Sequence, residues 1–317
     1  MKITPLIRYS LIYLFINIYG VSVAQVNQDN LKKHVYFLAA DKMKGRATGS
    51  KEGNKAAKYI QKHFKKYKLL PKGENKFAQP FEAHVTRAKV RDSIRSSKNI
   101  IGYLDNGAEF TIVVGAHYDH LGLGTDGGSK DTSRIGHIHN GADDNASGVA
   151  GLLELARHYA TNNVKEPYNM LFIAFGAEEL GLLGSKHFVE NPTLPLNEVH
   201  WMLNFDMIGR YNPDNGLAVI GYGTSPQFEP VFQNISPKPD FSFYTSKEGR
   251  GGSDQTSFYD KKIPVLFFHT GGHPDYHMTS DTAEKVNYPG MEHILHLAIE
   301  VIDKSMAQKK MIFTPTD

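Results

Sequence analysis

Residues 111–119 read TIVVGAHYD, an apolar run that stops at His117 and Asp119. The arrangement returns along the chain. NMLFIAF (169–175) leads into the pair Glu178–Glu179, HWMLNF (200–205) ends at Asp206, and PVLFFHTGG (264–272) is followed closely by His277. Unbroken apolar runs of this length suit strands buried on both faces. A strand that ends in a chemically active side chain, repeated along one chain, is how an α/β sheet builds a site at its carboxyl edge.

Working outward, strands are expected at 98–104, 110–116, 169–175, 200–206, 217–221 and 263–269. Helices are expected at 146–161, 180–190, 225–235, 253–260 and 289–306. In 146–161, Val149, Leu152, Leu153, Leu155, Ala156 and Tyr159 make one broad apolar stripe, with Ser147 placed as a cap. Such alternation predicts a largely parallel or mixed sheet covered by helices on both faces. Upstream, residues 30–70 read as two helices around GRATGS, and 71–98 as polar and irregular with room for a hairpin. The stretch 121–140 is rich in Gly, Asp and Ser. Long loops of that kind are usually functional or mobile, and this one separates two candidate site segments.

The composition is that of a globular protein: 317 residues, 40% hydrophobic and 22% charged. One α/β domain of this size buries a sizeable core. Residues 1–24 combine a basic start, the apolar LIYLFINIYGVSVA and the small residues Ser22 and Ala24, the pattern of a signal peptide. The apolar run is short for a membrane anchor and contains Asn17 and Gly20. A single domain over 25–317, exported to the periplasm or medium and without stable membrane insertion after processing, is therefore expected. The formal charge is +3, and without Lys2 and Arg8 there are 34 basic against 33 acidic residues. That balance gives no electrostatic case for nucleic acid. The chain has no cysteine, which removes disulfides, thiolate ligands and lipid attachment after the apolar run.

The chemistry rests on five residues of metal-ligand type: His117, Asp144, Glu179, Asp206 and His277. Two histidines and three carboxylates exceed the needs of one small metal centre and suit two zinc ions sharing a carboxylate. Asp144, in GADDNASG, is the expected bridge; capping would explain one of its two acids but not both. Adjacent glutamates directly after a buried strand are costly unless something positive meets them. Glu179 is read as a ligand and Glu178 as the general base. Asp119 is placed to orient the His117 ring, and Asp281 to orient His277 from four residues away. Tyr276 stands next to His277 as a catalytic aid, and His269 and His273 are the alternative ligands in that segment.

HYDHLG, GADDNASG, AFGAEELGLLGS, NFDMIG and YHMTSDT, in this order, together with KGRATGSKEGNKAAKYI upstream, resemble the M28 family of zinc peptidases. The similarity covers roughly residues 30–305. It implies a three-layer α/β/α sandwich with a central mixed, mostly parallel sheet and a dizinc aminopeptidase acting on peptides with a free N-terminus. By the same resemblance, His117, Asp144 and Asp206 would hold one zinc, and Asp144, Glu179 and His277 the other. Glu178 matches the base, Tyr276 matches a residue that stabilises the oxyanion, and a non-proline cis peptide is implied after Asp144. One departure is Gln255 in GGSDQTSF, where many relatives have histidine after the Ser-Asp pair. The rival readings are a carboxypeptidase or deacylase of the same type, a single-zinc glutaminyl cyclase, and a non-catalytic binding module.

Overall fold

A computed structural model describes residues 26–85, 93–235 and 238–316. The expected signal peptide lies outside the described residues. Among the described residues nine strands form one sheet: β1 (Leu70–Pro71), β2 (Ala78–Val85), β3 (Ser93–Leu104), β4 (Thr111–His117), β5 (Asn169–Phe175), β6 (Val199–Phe205), β7 (Leu217–Ile220), β8 (Phe243–Ser246) and β9 (Val265–His269). Their order is β1-β3-β5-β4-β6-β9-β7-β8, with β2 paired to β3. The centre, β5-β4-β6-β9, is parallel, and so is β7/β8. The pairs β1/β3, β2/β3, β3/β5 and β7/β9 are antiparallel, so the sheet is mixed, with its parallel part where the apolar runs lie.

Every residue of β4, β5 and β6 is buried, and the period of two divides them between two cores. Ile112, Val114, Met170, Phe172, Trp201, Leu203 and Phe268 face one helical layer. That layer contains α1 (Gln28–Leu38), α2 (Lys51–Lys66), α3 (Gly148–Thr161), α5 (Phe228–Gln233) and α7 (Tyr288–Ser305). Val113, Leu171, Ile173, Phe175, Met202 and Val265 face the other layer, α4 (Leu183–Glu190) and α6 (Gln255–Asp260). The result is the three-layer α/β/α sandwich.

Three local expectations change. The 71–98 region carries a long antiparallel pair, β2/β3, whose β2 alternates buried and exposed residues. β8 is an extra edge strand. It is short and half-exposed, too weak a pattern to stand out in sequence. Ser147 does not cap α3: its backbone is already helical, and its Oγ donates to the Asp143 carbonyl at 2.7 Å. The first amide of α3 is instead taken by Asn145 Oδ1, which accepts from Gly148 N at 2.9 Å. Among the described residues no helix is long and apolar enough to cross a membrane.

Candidate metal centre

His117 is the last residue of β4 and Asp206 directly follows β6, its parallel neighbour, so the sheet itself brings the two together. Asp144 enters from the turn before α3. His117 Nε2 lies 3.3 Å from both Asp144 Oδ1 and Asp206 Oδ1. Both His117 Nε2 and Asp206 Oδ1 are buried without a hydrogen-bond partner. Buried polar atoms are rarely left so, and a ring nitrogen converging on two carboxylate oxygens suits a cation between them.

The second group forms on the other oxygen of Asp144. His277 Nε2 is 3.0 Å from Asp144 Oδ2 and 3.3 Å from Glu179 Oε2. His120, which the sequence reading passed over, also belongs here, with Nδ1 2.8 Å from Glu179 Oε1 and 3.7 Å from Asp144 Oδ2. Among the described residues two sets thus have one donor atom per residue close enough to share a cation: His117, Asp144 and Asp206, and His120, Asp144 and Glu179. Asp144 is common to both. The signal for His120 was its place in HYDH, three residues past the end of β4 in a buried run.

The surroundings agree that the cluster is built for positive charge. Burial alone would lower the His277 imidazole, but hydrogen bonds to the Asp144 and Glu179 carboxylates outweigh it and push it up to about 11. Burial likewise works against His117, yet Asp206, Glu178 and Asp144 hold it well above its ordinary value. Burial and the neighbouring Asp144 charge oppose ionisation of Glu179, but His120 and His277 pull it down to about 2. Protonated rings stand here for cations that the carboxylates demand. The donor set of imidazole nitrogens and carboxylate oxygens fits zinc.

Glu178 stands apart from these pairs. Its carboxylate is 3.9 Å from His117 Nε2 and lines a cavity of about 270 Å³ together with Asp144, Asp206, Tyr276 and His277. Burial raises its pKa well above the ordinary range, partly opposed by His117 and reinforced by Glu179, Asp206 and Asp254. Tyr276 lines the same cavity and stacks on His277, ring centroids 3.9 Å apart. Burial, with the surrounding carboxylates, holds its phenol well above the ordinary value, so it stays a proton donor.

The supporting contacts differ from those expected. The His117 Nδ1 donor meets the backbone carbonyl of Asp119 at 3.2 Å, while the Asp119 carboxylate is 3.9 Å away. That carboxylate accepts from Glu178 N at 3.0 Å and Thr48 Oγ1 at 2.9 Å, so Asp119 positions the backbone of the glutamate pair. Asp281 accepts from the amides of Asp143 and Asp144, at 2.9 and 3.1 Å, and so fixes the turn that carries Asp144. The Nδ1 of His277 is oriented by Gly128 O at 2.8 Å, from the 121–140 loop. His273 pairs with Asp143 Oδ2 at 3.0 Å, and His269 Nδ1 is spent on Asp206 O at 2.8 Å.

The turn itself is tightly specified. Gly141 has φ +58°, and a Cβ there would sit 2.2 Å from Asp144 O. The Asp144–Asn145 peptide is cis. Arg46, fully buried, donates to the carbonyls of Tyr118, Asn140, Gly141 and Asp144 and ties KGRATGS to this turn. Ala177, Met207 and His277, each at or beside a cluster residue, have φ near +60°. Such backbone costs roughly 1–2 kcal/mol per residue and survives where the surroundings impose it.

Comparison with known proteins gives one consistent family. The family model described as Peptidase family M28 matches residues 99–302. Leupeptin-inactivating enzyme 1 of Streptomyces exfoliatus is 37% identical over 146 residues, 46% of this chain and 32% of that protein. Aminopeptidase YwaD of Bacillus subtilis (strain 168) is 30% identical over 181 residues, 54% of this chain and 39% of the relative. The alignments thus span about a third of the length of these curated relatives. The solved aminopeptidase from Aneurinibacillus sp. strain AM-1 superposes with TM-score 0.71 at 18% identity, over 93% of this chain and 98% of that one, a likeness of fold. The sandwich, its carboxyl-edge cluster and the matched residues agree, and the chain belongs to peptidase family M28.

Proposed function

We propose that the protein is an exported dizinc aminopeptidase that hydrolyses the first peptide bond of peptides with a free N-terminus. The observation that carries this reading is the division of Asp144: one carboxylate oxygen faces His117 beside Asp206, the other faces His277 beside Glu179. In this reading His117, Asp144 and Asp206 hold one zinc, and Asp144, Glu179 and His277 the other, with His120 bonded to Glu179. When bound, the metal pair would supply Lewis acidity and lower the pKa of an attacking water toward neutrality.

The chain's own groups supply the rest. Glu178 removes a proton from the water as it attacks the scissile carbonyl and returns it to the leaving amine. Burial raises the affinity of its carboxylate for a proton, the direction a general base requires. The Tyr276 phenol donates to the oxyanion as the carbonyl becomes tetrahedral. Asp119 holds the backbone of Glu178, and Asp281 holds that of Asp144. The walls of the 270 Å³ cavity beyond the carboxylates, with Met207 and Phe267, receive the side chain of the first residue.

The test is elemental analysis of the purified mature protein combined with hydrolysis of aminoacyl amides and their amino-blocked counterparts, before and after chelation. Two zinc ions per chain, chelation-sensitive turnover and dependence on the free amine are expected. A ratio of one metal with cyclisation of glutaminyl peptides would replace this reading with the cyclase. Turnover of blocked substrates would replace it with a deacylase or carboxypeptidase. Full metal loading without turnover on any of these would leave a binding module.

A further inference from the structure

One wall of the cavity is not used by the chemistry above. Beyond Glu178 and Asp206 the cavity is lined by Met207, Phe267, Gly252, Gly272 and His269. Nothing lies within 4 Å of a Cβ built on Gly252 or Gly272, so this end is open enough to admit a side chain. Phe267 and His269 form a continuous aromatic surface, ring centroids 5.4 Å apart and 34° between planes. In this otherwise apolar end, His269 brings a polar edge.

The direction of that edge is set by its other nitrogen. His269 Nδ1 lies 2.8 Å from the backbone carbonyl of Asp206. A carbonyl can only accept, so Nδ1 carries the hydrogen. In the neutral ring Nε2 then holds a lone pair, and among the described residues it has no hydrogen-bond partner. The tautomer is thereby fixed by the same backbone that carries Asp206. A half-buried acceptor in an apolar cavity costs free energy when a bound ligand excludes water and gives nothing back.

We propose that His269 is a specificity-determining residue, its Nε2 accepting a hydrogen bond from the side chain of the substrate's first residue, so that the enzyme favours N-terminal residues carrying a side-chain O–H or N–H donor over apolar residues of the same shape. The proposal rests on the aminopeptidase reading and names its substrate class. Sites built to pair with a substrate hydroxyl reject the analogue that lacks it far more strongly than apolar pockets distinguish one methylene. A purely structural His269 would serve as an aromatic wall and leave such isosteric pairs nearly equal.

The experiment uses zinc-loaded mature protein and two matched pairs of aminoacyl amides, threonyl against valyl and tyrosyl against phenylalanyl. A kcat/KM ratio above threefold for the donor-bearing member of either pair is expected, and His269→Phe should bring that ratio to within threefold of one. Comparison of tyrosyl with O-methyltyrosyl amide in the wild-type protein removes the donor without touching the fold, and the methyl ether should behave like phenylalanyl. Zinc content and thermal midpoint of His269→Phe report whether the variant is intact, and the wild-type ratios stand whatever they show. Ratios under threefold in both pairs, a methyl ether as good as tyrosyl, or a preference that survives in intact His269→Phe would overturn the assignment while leaving the aminopeptidase reading in place. Absence of turnover on every aminoacyl amide would overturn both.

Discussion

The two halves of the cluster are held by different kinds of structure. His117 and Asp206 sit at the ends of two adjacent parallel strands whose backbones are hydrogen-bonded in register, Gly115 opposite Asn204. The His117 side chain is 1% exposed. On the other side, His277 lies in the loop after β9, with φ +60° and a side chain 13% exposed. Its ring is aimed by a carbonyl of the 121–140 loop. The first half is a by-product of sheet formation. In the second, His277 keeps its place only while two loops stay in contact. Loops occupy the low-stability end of a fold, so on the dizinc reading a metal in the second half should be the weaker and more exchangeable of the two.

The largest effect should come from Glu178, which contacts the first half yet carries no expected metal. Glu178→Gln should keep both metals and lose about 10³-fold in kcat. Elemental analysis beside steady-state kinetics checks this, and loss of metal with activity would place Glu178 among the ligands. Next, Asp206→Asn and His277→Gln dissect the halves. Each should weaken its own metal by more than about 100-fold, with His277→Gln retaining one tightly bound ion. Competitive chelator titration reads both, and equal loss of both metals in His277→Gln would break the comparison.

A smaller effect is expected at Gly128, whose carbonyl aims His277 and whose φ is +83°. Gly128→Ala strains that backbone and brings a Cβ to 3.0 Å from Leu121 Cδ2. The second metal should weaken about tenfold and the first should not change. Calorimetric titration of the metal-free protein distinguishes the two.

The smallest effect concerns stability. Asp254 is fully buried, neither oxygen has a hydrogen-bond partner, and burial pushes its carboxyl up to about 7 against His117, which pulls it down. A carboxyl held above its unfolded value destabilises the fold as pH rises past that value, and the penalty is complete above the folded pKa. Asp254→Asn should therefore raise the thermal midpoint of the metal-free protein, and by more at pH 8 than at pH 5. The scale is about 2–4 °C for each kcal/mol recovered. Differential scanning calorimetry at the two pH values would count against the assignment if the gain were larger at pH 5.

The central strands were legible because they are buried on both faces and so are written as solid apolar runs. β2 was not, although Phe81, Ala83 and Val85 alternate inward. Its first inward residue is the polar Gln79, whose amide donates to the Asn191 carbonyl, 112 residues away, and accepts from Asn99. Of the site, the residues that end strands or follow glycine turns could be named. Their partners could not. Asp119 and Asp281 were chosen by nearness in sequence, yet Asp119 meets His117 with its backbone carbonyl while its carboxylate and that of Asp281 serve other segments, and the real orienting group of His277 is a backbone carbonyl 149 residues distant. Backbone carbonyls carry no residue identity, so no reading of side chains reveals them.

What the amino-acid order determined alone was periodicity and chemistry: which segments must be buried on both faces, and which side chains at their ends suit a cation. Those follow from local rules of hydrophobic patterning and ligand type. Only the tertiary structure decided that Asp144 turns one oxygen to each half, that His120 joins the second, and that His269 lines the cavity with its Nδ1 on the Asp206 carbonyl. Each of these depends on the direction of a side chain between elements distant in sequence, a quantity set by packing of the whole sandwich.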